Sequence, residues 1–204
     1  MTLKELVDFF TETNKLKYTM RYSSCPKKIQ DSSAEHSWHL TVMIPLIAEE
    51  LGLKINVLHA VEIALVHDLA EKTLKEDFDS FLVASGKLSE TDKDKGELEE
   101  MNKLRKKYSF GEKIYSLWRE YEDNKTPEAK FVKAMDKLEA HAHIIEKGTY
   151  GNNEAGAIHQ VYYADKAVKD YPELKPLLSE MKKKLRPVLE KQGLKWKKEY
   201  DWPQ

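Results

Sequence analysis

The chain has 204 residues, of which 34 are basic and 35 acidic, giving a formal net charge of -1; 41% are hydrophobic and 34% charged. That length suits one domain with a sizeable core, and that balance excludes the disordered and membrane-spanning classes. The even charge provides no whole-chain attraction for nucleic acid or an anionic membrane, but leaves room for a small anionic substrate in a local basic pocket.

The N-terminal stretch MTLKELVDFFTETNKLK mixes charges from its start and has neither the apolar core nor the cleavage site of a signal peptide. The longest apolar run, Val42 to Ala48, is interrupted by Pro45 and falls far short of the ~20 residues a membrane span needs. The lone Cys25 has no internal disulfide partner. Together these features predict a cytoplasmic chain with no membrane partner.

In chain order, Leu3, Leu6, Val7 and Phe10 recur at i, i+3, i+4 and i+7 and predict a first amphipathic helix. The segment Lys15 to Asp31 has no clean period and contains Pro26, so it reads as an extended loop. Ser32-Ser33-Ala34-Glu35 has the form of a capping box, hydroxyl at the N-cap and carboxylate three residues on. It predicts a helix running to about Leu51 and ended by Gly52, with His36 in the first turn. Asn56 caps the next helix, Val57 to about Leu74, whose Val61, Ile63, Ala64, Leu65 and Val66 mark it as a buried central helix. Lys75 to Lys95 is polar and reads partly as loop. Helices follow at about 96–107, 111–122, 127–147, 154–169 and 173–192, punctuated by Gly111, Pro127 and Gly151-Asn152-Asn153. No segment alternates like a strand, so the class is all-α. Residues 1–204 read as a single domain, with a core of about 3–147, helices 154–192 packed on it, and a tail at 193–204.

The doublet His67-Asp68 lies in ALVHDLAE, inside the most apolar helix. A buried Asp without a partner costs several kcal/mol, so Asp68 is paired or binds a metal. Glu71 is four residues after His67 and three after Asp68, which puts all three on one helix face. A satisfied core histidine beside an internal salt bridge accounts for this helix about equally well. Asp136 sits among Phe131, Val132, Met135 and Leu138, where its ordinary fate is pairing with Lys133 or Lys137. His36, with Trp38 and Leu40 nearby, is on the plain reading a partly buried histidine. Taken together, two His and two Asp form a mixed nitrogen and oxygen set. It suits a first-row transition ion better than Mg²⁺ or Ca²⁺. Such an ion lowers the pKa of bound water from ~15.7 toward ~7. Glu71 is then placed to orient that water or pass a proton.

His36, then His67-Asp68, then Asp136 resembles the H…HD…D signature of the HD-domain phosphohydrolases. Arg21-Tyr22, SAEH at Ser33–His36, ALVHDLAE at Ala64–Glu71 and LWREYE…EAKFVKAMDKLE over Leu117–Glu139 resemble the 5′-deoxynucleotidase branch, across about residues 3–147. The resemblance implies an all-helical HD-domain bundle that forms a homodimer. It implies hydrolysis of deoxyribonucleoside 5′-monophosphates to deoxynucleoside and phosphate, with one divalent transition ion such as Mn²⁺ or Co²⁺. It carries the metal ligands onto His36, His67, Asp68 and Asp136, the catalytic glutamate onto Glu71, and the phosphate-binding arginine onto Arg21. Tyr22 stands where the family often has Trp against the sugar. Glu76 and Asp77 stand in the register of a family Gly-Asp. All three are expected to bear on sugar recognition.

Two other functions compete. One is an HD phosphohydrolase acting on another phosphate ester or a nucleoside triphosphate, which would call for more basic residues than Arg21, Lys17, Lys27 and Lys28. The other is a non-catalytic binding module, which the retention of four ligands with Glu71 argues against. Elsewhere, His141 and His143 at i, i+2 face apart and make no second metal pair. His39, three residues after His36, reads as a structural neighbour. The basic runs Lys103–Lys107 and Lys182-Lys183-Lys184 read as solvated faces. Trp196 and Trp202 in the tail are expected to dock on the body or on a partner subunit.

Overall fold

The computed structural model describes residues 1–22, 25–73, 90–148 and 154–201. Among them the regular elements are helical: α1 (Leu3–Thr13), α2 (Ser33–Glu50), α3 (Val57–Val66), α4 (Glu90–Lys107), α5 (Gly111–Asp123), α6 (Pro127–Lys147), α7 (Glu154–Tyr162), α8 (Asp165–Asp170) and α9 (Lys175–Glu190). Short 3₁₀ turns at Asn14–Tyr18, Leu69–Thr73, Pro172–Leu174 and Lys198–Asp201 join or follow them.

Local chemistry sets the helix ends. Ser32 accepts from the Glu35 backbone N–H while the Glu35 carboxylate accepts from Ser32 N at 2.7 Å, so the expected capping box is formed. Gly52, just past α2, takes φ +59, a conformation that favours glycine. Thr126 caps α6 through Ala129 N, with Pro127 at the first helical position.

α2, α3 and α6 pack against one another at the centre. The stripe Phe131, Val132, Met135 and Leu138 on α6 is fully buried, as its spacing predicts. Each such side chain contributes about 1.5–3 kcal/mol by leaving water. It meets Leu40 and Ile44 of α2 and Ile63 and Ala64 of α3 in one core, which Ala164, Val168, Leu174 and Leu178 also enter. A smaller cluster forms around Ile144, Val161, Leu185, Leu189 and Tyr200, with Trp196 against it. Trp202 lies outside the described residues.

Several expectations are corrected. Part of the expected loop Lys15 to Asp31 is the 3₁₀ turn Asn14–Tyr18, and the two described ends of the remainder pair with each other. An antiparallel bridge pairs Met20 with Ser32, Arg21 N donates to Asp31 O at 2.7 Å, and Ser33 N donates to Thr19 O at 2.9 Å. α3 stops at Val66 rather than near Leu74. The His67 ring takes the Ala64 carbonyl at 2.7 Å, an acceptor the next helical turn would use, and the chain continues as a 3₁₀ turn. α3 is also less enclosed than its composition suggests, since Leu58 is 72% and Leu65 54% exposed. Leu3, Val7 and Phe10 of α1 are exposed too. α1 is held instead through Phe9, whose ring lies 5.4 Å from Tyr108 and 5.2 Å from Phe110, and through Glu12, which accepts from the Tyr108 hydroxyl at 2.6 Å. The expected helix 154–169 is broken between α7 and α8, which lets Asp165 meet Lys182 at 2.7 Å. Lys182 is therefore 1% exposed rather than solvated.

Candidate metal centre

Three segments distant in sequence converge where α2, α3 and α6 meet. His36 comes from the first turn of α2, His67 and Asp68 from the end of α3, and Asp136 from the middle of α6. Potential ligand atoms of His36, His67 and Asp68 all lie within 4.8 Å of one another, the one such group among the described residues. Asp136 joins through His36, its Oδ1 lying 3.1 Å from His36 Nε2, while Asp68 Oδ2 lies 3.8 Å from the same nitrogen.

Hydrogen bonds on the far side of each ring decide which nitrogen faces the cluster. His36 Nδ1 donates to Glu139 Oε2, a carboxylate that only accepts. His67 Nδ1 donates to Ala64 O at 2.7 Å. Both Nε2 atoms therefore face inward, the arrangement that fixes ring orientation in metal-binding imidazoles, and a cation would displace the proton that His36 Nε2 shares with Asp136. His67 Nε2 is buried and has no hydrogen-bond partner, although Asp68 Oδ1 lies 3.2 Å away. An orphaned buried nitrogen costs free energy unless something electrophilic meets it. Two inward Nε2 atoms with two carboxylates fit a divalent transition ion, with positions left for water and substrate.

The electrostatics agree. Burial works against charge on His36, and so does Arg21, yet the hydrogen bonds to Asp136 and Glu139 outweigh both and raise its pKa to about 9. Burial also opposes ionisation of Asp136, but Lys137 and His36 hold its carboxyl well below the usual range. Asp68 is lowered as well, His67 and His36 overcoming its burial. The pocket thus favours a positive charge between these groups.

Asp136 is neither a surface acid nor paired with Lys133. Its Oδ2 accepts from the Tyr121 hydroxyl at 2.7 Å and lies 2.9 Å from Lys137 Nζ, which fixes the carboxylate from behind. Glu71 is on the 3₁₀ turn rather than on α3, brought round by its N–H donating to Asp68 O at 3.0 Å. Its Oε2 accepts from Ser33 Oγ at 2.7 Å.

Arg21 lies on the loop before α2. Its Nη1 is 3.5 Å from Asp31 Oδ2 and 3.4 Å from Glu139 Oε2, a largely buried pair of contacts. Tyr22 follows with φ 55, unusual for a residue with a side chain and characteristic of functional sites. Its ring is stacked on His143 at 4.8 Å and 4°, and burial pushes its hydroxyl pKa well up. His143 Nε2 donates to Ile29 O and His141 Nε2 to Gln160 O, so the two rings serve different parts of the fold, as their spacing predicts. Glu76 and Asp77 lie outside the described residues.

The sequence reading assigned no role to Glu139 or Tyr121, named Lys137 as an ordinary ion-pair partner of Asp136, which the structure bears out, placed Ser33 only within the capping stretch, and took His39 as merely structural. Glu139 accepts from His39 Nδ1 at 2.9 Å as well as from His36. A signal existed for it: Glu139 is an acid three residues after Asp136 on an otherwise apolar face.

A family model described as HD domain matches residues 13–175. The chain is similar to 5′-deoxynucleotidase HDDC2 of Homo sapiens, 26% identical over 184 residues that cover 87% of this chain and 85% of that one. It is 31% identical to 5′-deoxynucleotidase HDDC2 of Dictyostelium discoideum over 147 residues, 67% of this chain and 74% of that one. A crystal structure from Magnetospirillum magnetotacticum MS-1, described as a predicted metal-dependent phosphohydrolase, shares the fold at a TM-score of 0.70. It is 22% identical and covers 94% of this chain and 97% of its own. With a family model spanning most of its length and the His-Asp doublet seated against an upstream histidine, the chain belongs to the HD-domain family.

Proposed function

We propose that this protein is a metal-dependent phosphohydrolase, a 5′-deoxynucleotidase that cleaves deoxyribonucleoside 5′-monophosphates to deoxynucleoside and phosphate. The observation that carries the reading is the convergence of His36, His67 and Asp68, with Asp136 3.1 Å from His36. The relatives named 5′-deoxynucleotidase support the substrate class. His36, His67, Asp68 and Asp136 hold one divalent ion, Mn²⁺ or Co²⁺. That ion supplies Lewis acidity to a water molecule and to a phosphoryl oxygen. Arg21 binds the phosphate through its planar set of donors. Glu71, held by Ser33, takes the proton of the attacking water and returns it to the 5′-oxygen as the phosphorus–oxygen bond breaks. Tyr22, locked by His143, forms part of the wall facing the sugar.

The chain acts as one domain over residues 1–204, in the cytoplasm and as a homodimer. No helix among the described residues is long and apolar enough to cross a membrane. The dimer is supported by Trp38, Val42 and Leu46, which are 65%, 41% and 62% exposed and share one face of α2 at four-residue spacing.

The test is purified protein with Mn²⁺ or Co²⁺ against a panel of deoxy- and ribonucleotides, with and without chelator. Inorganic phosphate released from deoxynucleoside monophosphates supports the reading. Released triphosphate, or turnover of other esters alone, replaces it with a different HD phosphohydrolase. No turnover with the ion bound makes the chain a binding module.

A further inference from the structure

Glu139 stands outside the ligand set carried by the resemblance, yet it is 2% exposed and its carboxylate meets three donors from two segments of the chain. Oε2 accepts from His36 Nδ1 and lies 3.4 Å from Arg21 Nη1, and Oε1 accepts from His39 Nδ1 at 2.9 Å. Burial alone would cost such a carboxylate several kcal/mol, which the three donors offset. They also make it rigid, because each oxygen is committed and α6 holds the backbone. One oxygen thus touches both the ring that faces the metal cluster and the guanidinium assigned to phosphate.

We propose that Glu139 is the positioning residue of this site, holding His36 for the cation and Arg21 for the phosphate through a single carboxylate oxygen. The inference rests on the metal and phosphate roles proposed above for His36 and Arg21. Toward His36 the carboxylate fixes the Nδ1–H tautomer and makes Nε2 a stronger donor to a cation. Replacing partners of this kind costs about 10–100-fold in metal affinity. Toward Arg21 it fixes a long, rotamer-rich side chain before substrate arrives, so that less ordering is left for the phosphate to impose.

Two substitutions separate reach from charge. Glu139→Asp keeps the charge but draws the carboxylate back by one methylene, away from both partners. Glu139→Gln keeps the reach and loses the charge. Mn²⁺ affinity is read from the free-ion EPR signal, and inorganic phosphate affinity from calorimetry at saturating Mn²⁺. Glu139→Asp is expected to weaken both by tenfold or more. Glu139→Gln is expected to weaken Mn²⁺ by tenfold or more and to leave phosphate no weaker than in the wild type. The proposal is overturned if either variant binds Mn²⁺ within twofold of the wild type, or if Glu139→Asp leaves phosphate within twofold. Should Glu139→Asp fail to fold, the Mn²⁺ constant of Glu139→Gln decides. A wild-type protein that turns over no deoxynucleotide ends the functional reading alone, because neither binding constant depends on turnover.

Discussion

Ser33, the first residue of α2, donates its hydroxyl to Glu71, 38 residues further along, at 2.7 Å. The first turn of α2, started by the Ser32–Glu35 capping box, thus also holds the proposed proton carrier. Glu71→Gln is expected to keep the metal and lose 10²–10⁴-fold in kcat, the usual contribution of a positioned acid–base group. Ser33→Ala, which only frees the carboxylate, should lose less. Steady-state kinetics beside metal analysis checks both, and a fully active Glu71→Gln variant would remove Glu71 from the mechanism.

His67→Ala deletes one of the two inward imidazoles. Metal content and activity should fall together, because the remaining donors no longer enclose the ion. Elemental analysis after gel filtration reads the first and phosphate release the second. A variant that loses activity while retaining stoichiometric metal would contradict the ligand assignment.

Arg21→Lys keeps the charge but not the planar fork. Loss of charge-assisted hydrogen bonds to phosphate, worth about 1.5–3 kcal/mol, corresponds to roughly a 10–100-fold rise in KM. Mn²⁺ affinity should change far less. An unchanged KM would leave Arg21 as a partner of Asp31 and Glu139 only.

His141 gives a pH dependence independent of the metal. It is fully buried, its Nε2 donates to Gln160 O at 2.8 Å, and its Nδ1 has no hydrogen-bond partner. Burial, aided by Lys182 and opposed by the Gln160 bond, lowers its pKa from 6.5 to about 4. The unfolded chain takes up this proton below pH 6.5 and the folded chain only near pH 4, so the unfolded state binds more protons between them. The contribution to stability is complete above pH 6.5 and declines as pH falls through that window, by about 3 kcal/mol in total. Denaturant melts at pH 7 and pH 4.5 should show the decline reduced in His141→Gln.

Leu46→Glu places a charge on the exposed face shared by Trp38, Val42 and Leu46. If that face is the homodimer interface, sedimentation equilibrium should show monomers for the variant and dimers for the wild type, with metal content unchanged. A wild-type monomer ends the proposal, and a dimeric variant moves the interface elsewhere.

The sequence by itself determined the all-helical class, the capped start of α2 at Ser32, its stop at Gly52 and the buried stripe of α6, and it singled out His36, His67, Asp68 and Asp136. These features are legible because hydrogen bonding along a helix, capping and apolar periodicity act within a few residues. Only the tertiary structure decided that α3 ends at Val66, that α1 leaves its apolar stripe exposed, that Lys182 is buried against Asp165, and that Glu139 serves both His36 and Arg21. Glu139 is separated from His36 by 103 residues and from Arg21 by 118, and no local pattern encodes a contact between side chains so far apart. Such contacts follow from how the helices pack, because a buried carboxylate is tolerated only where packing brings donors to it.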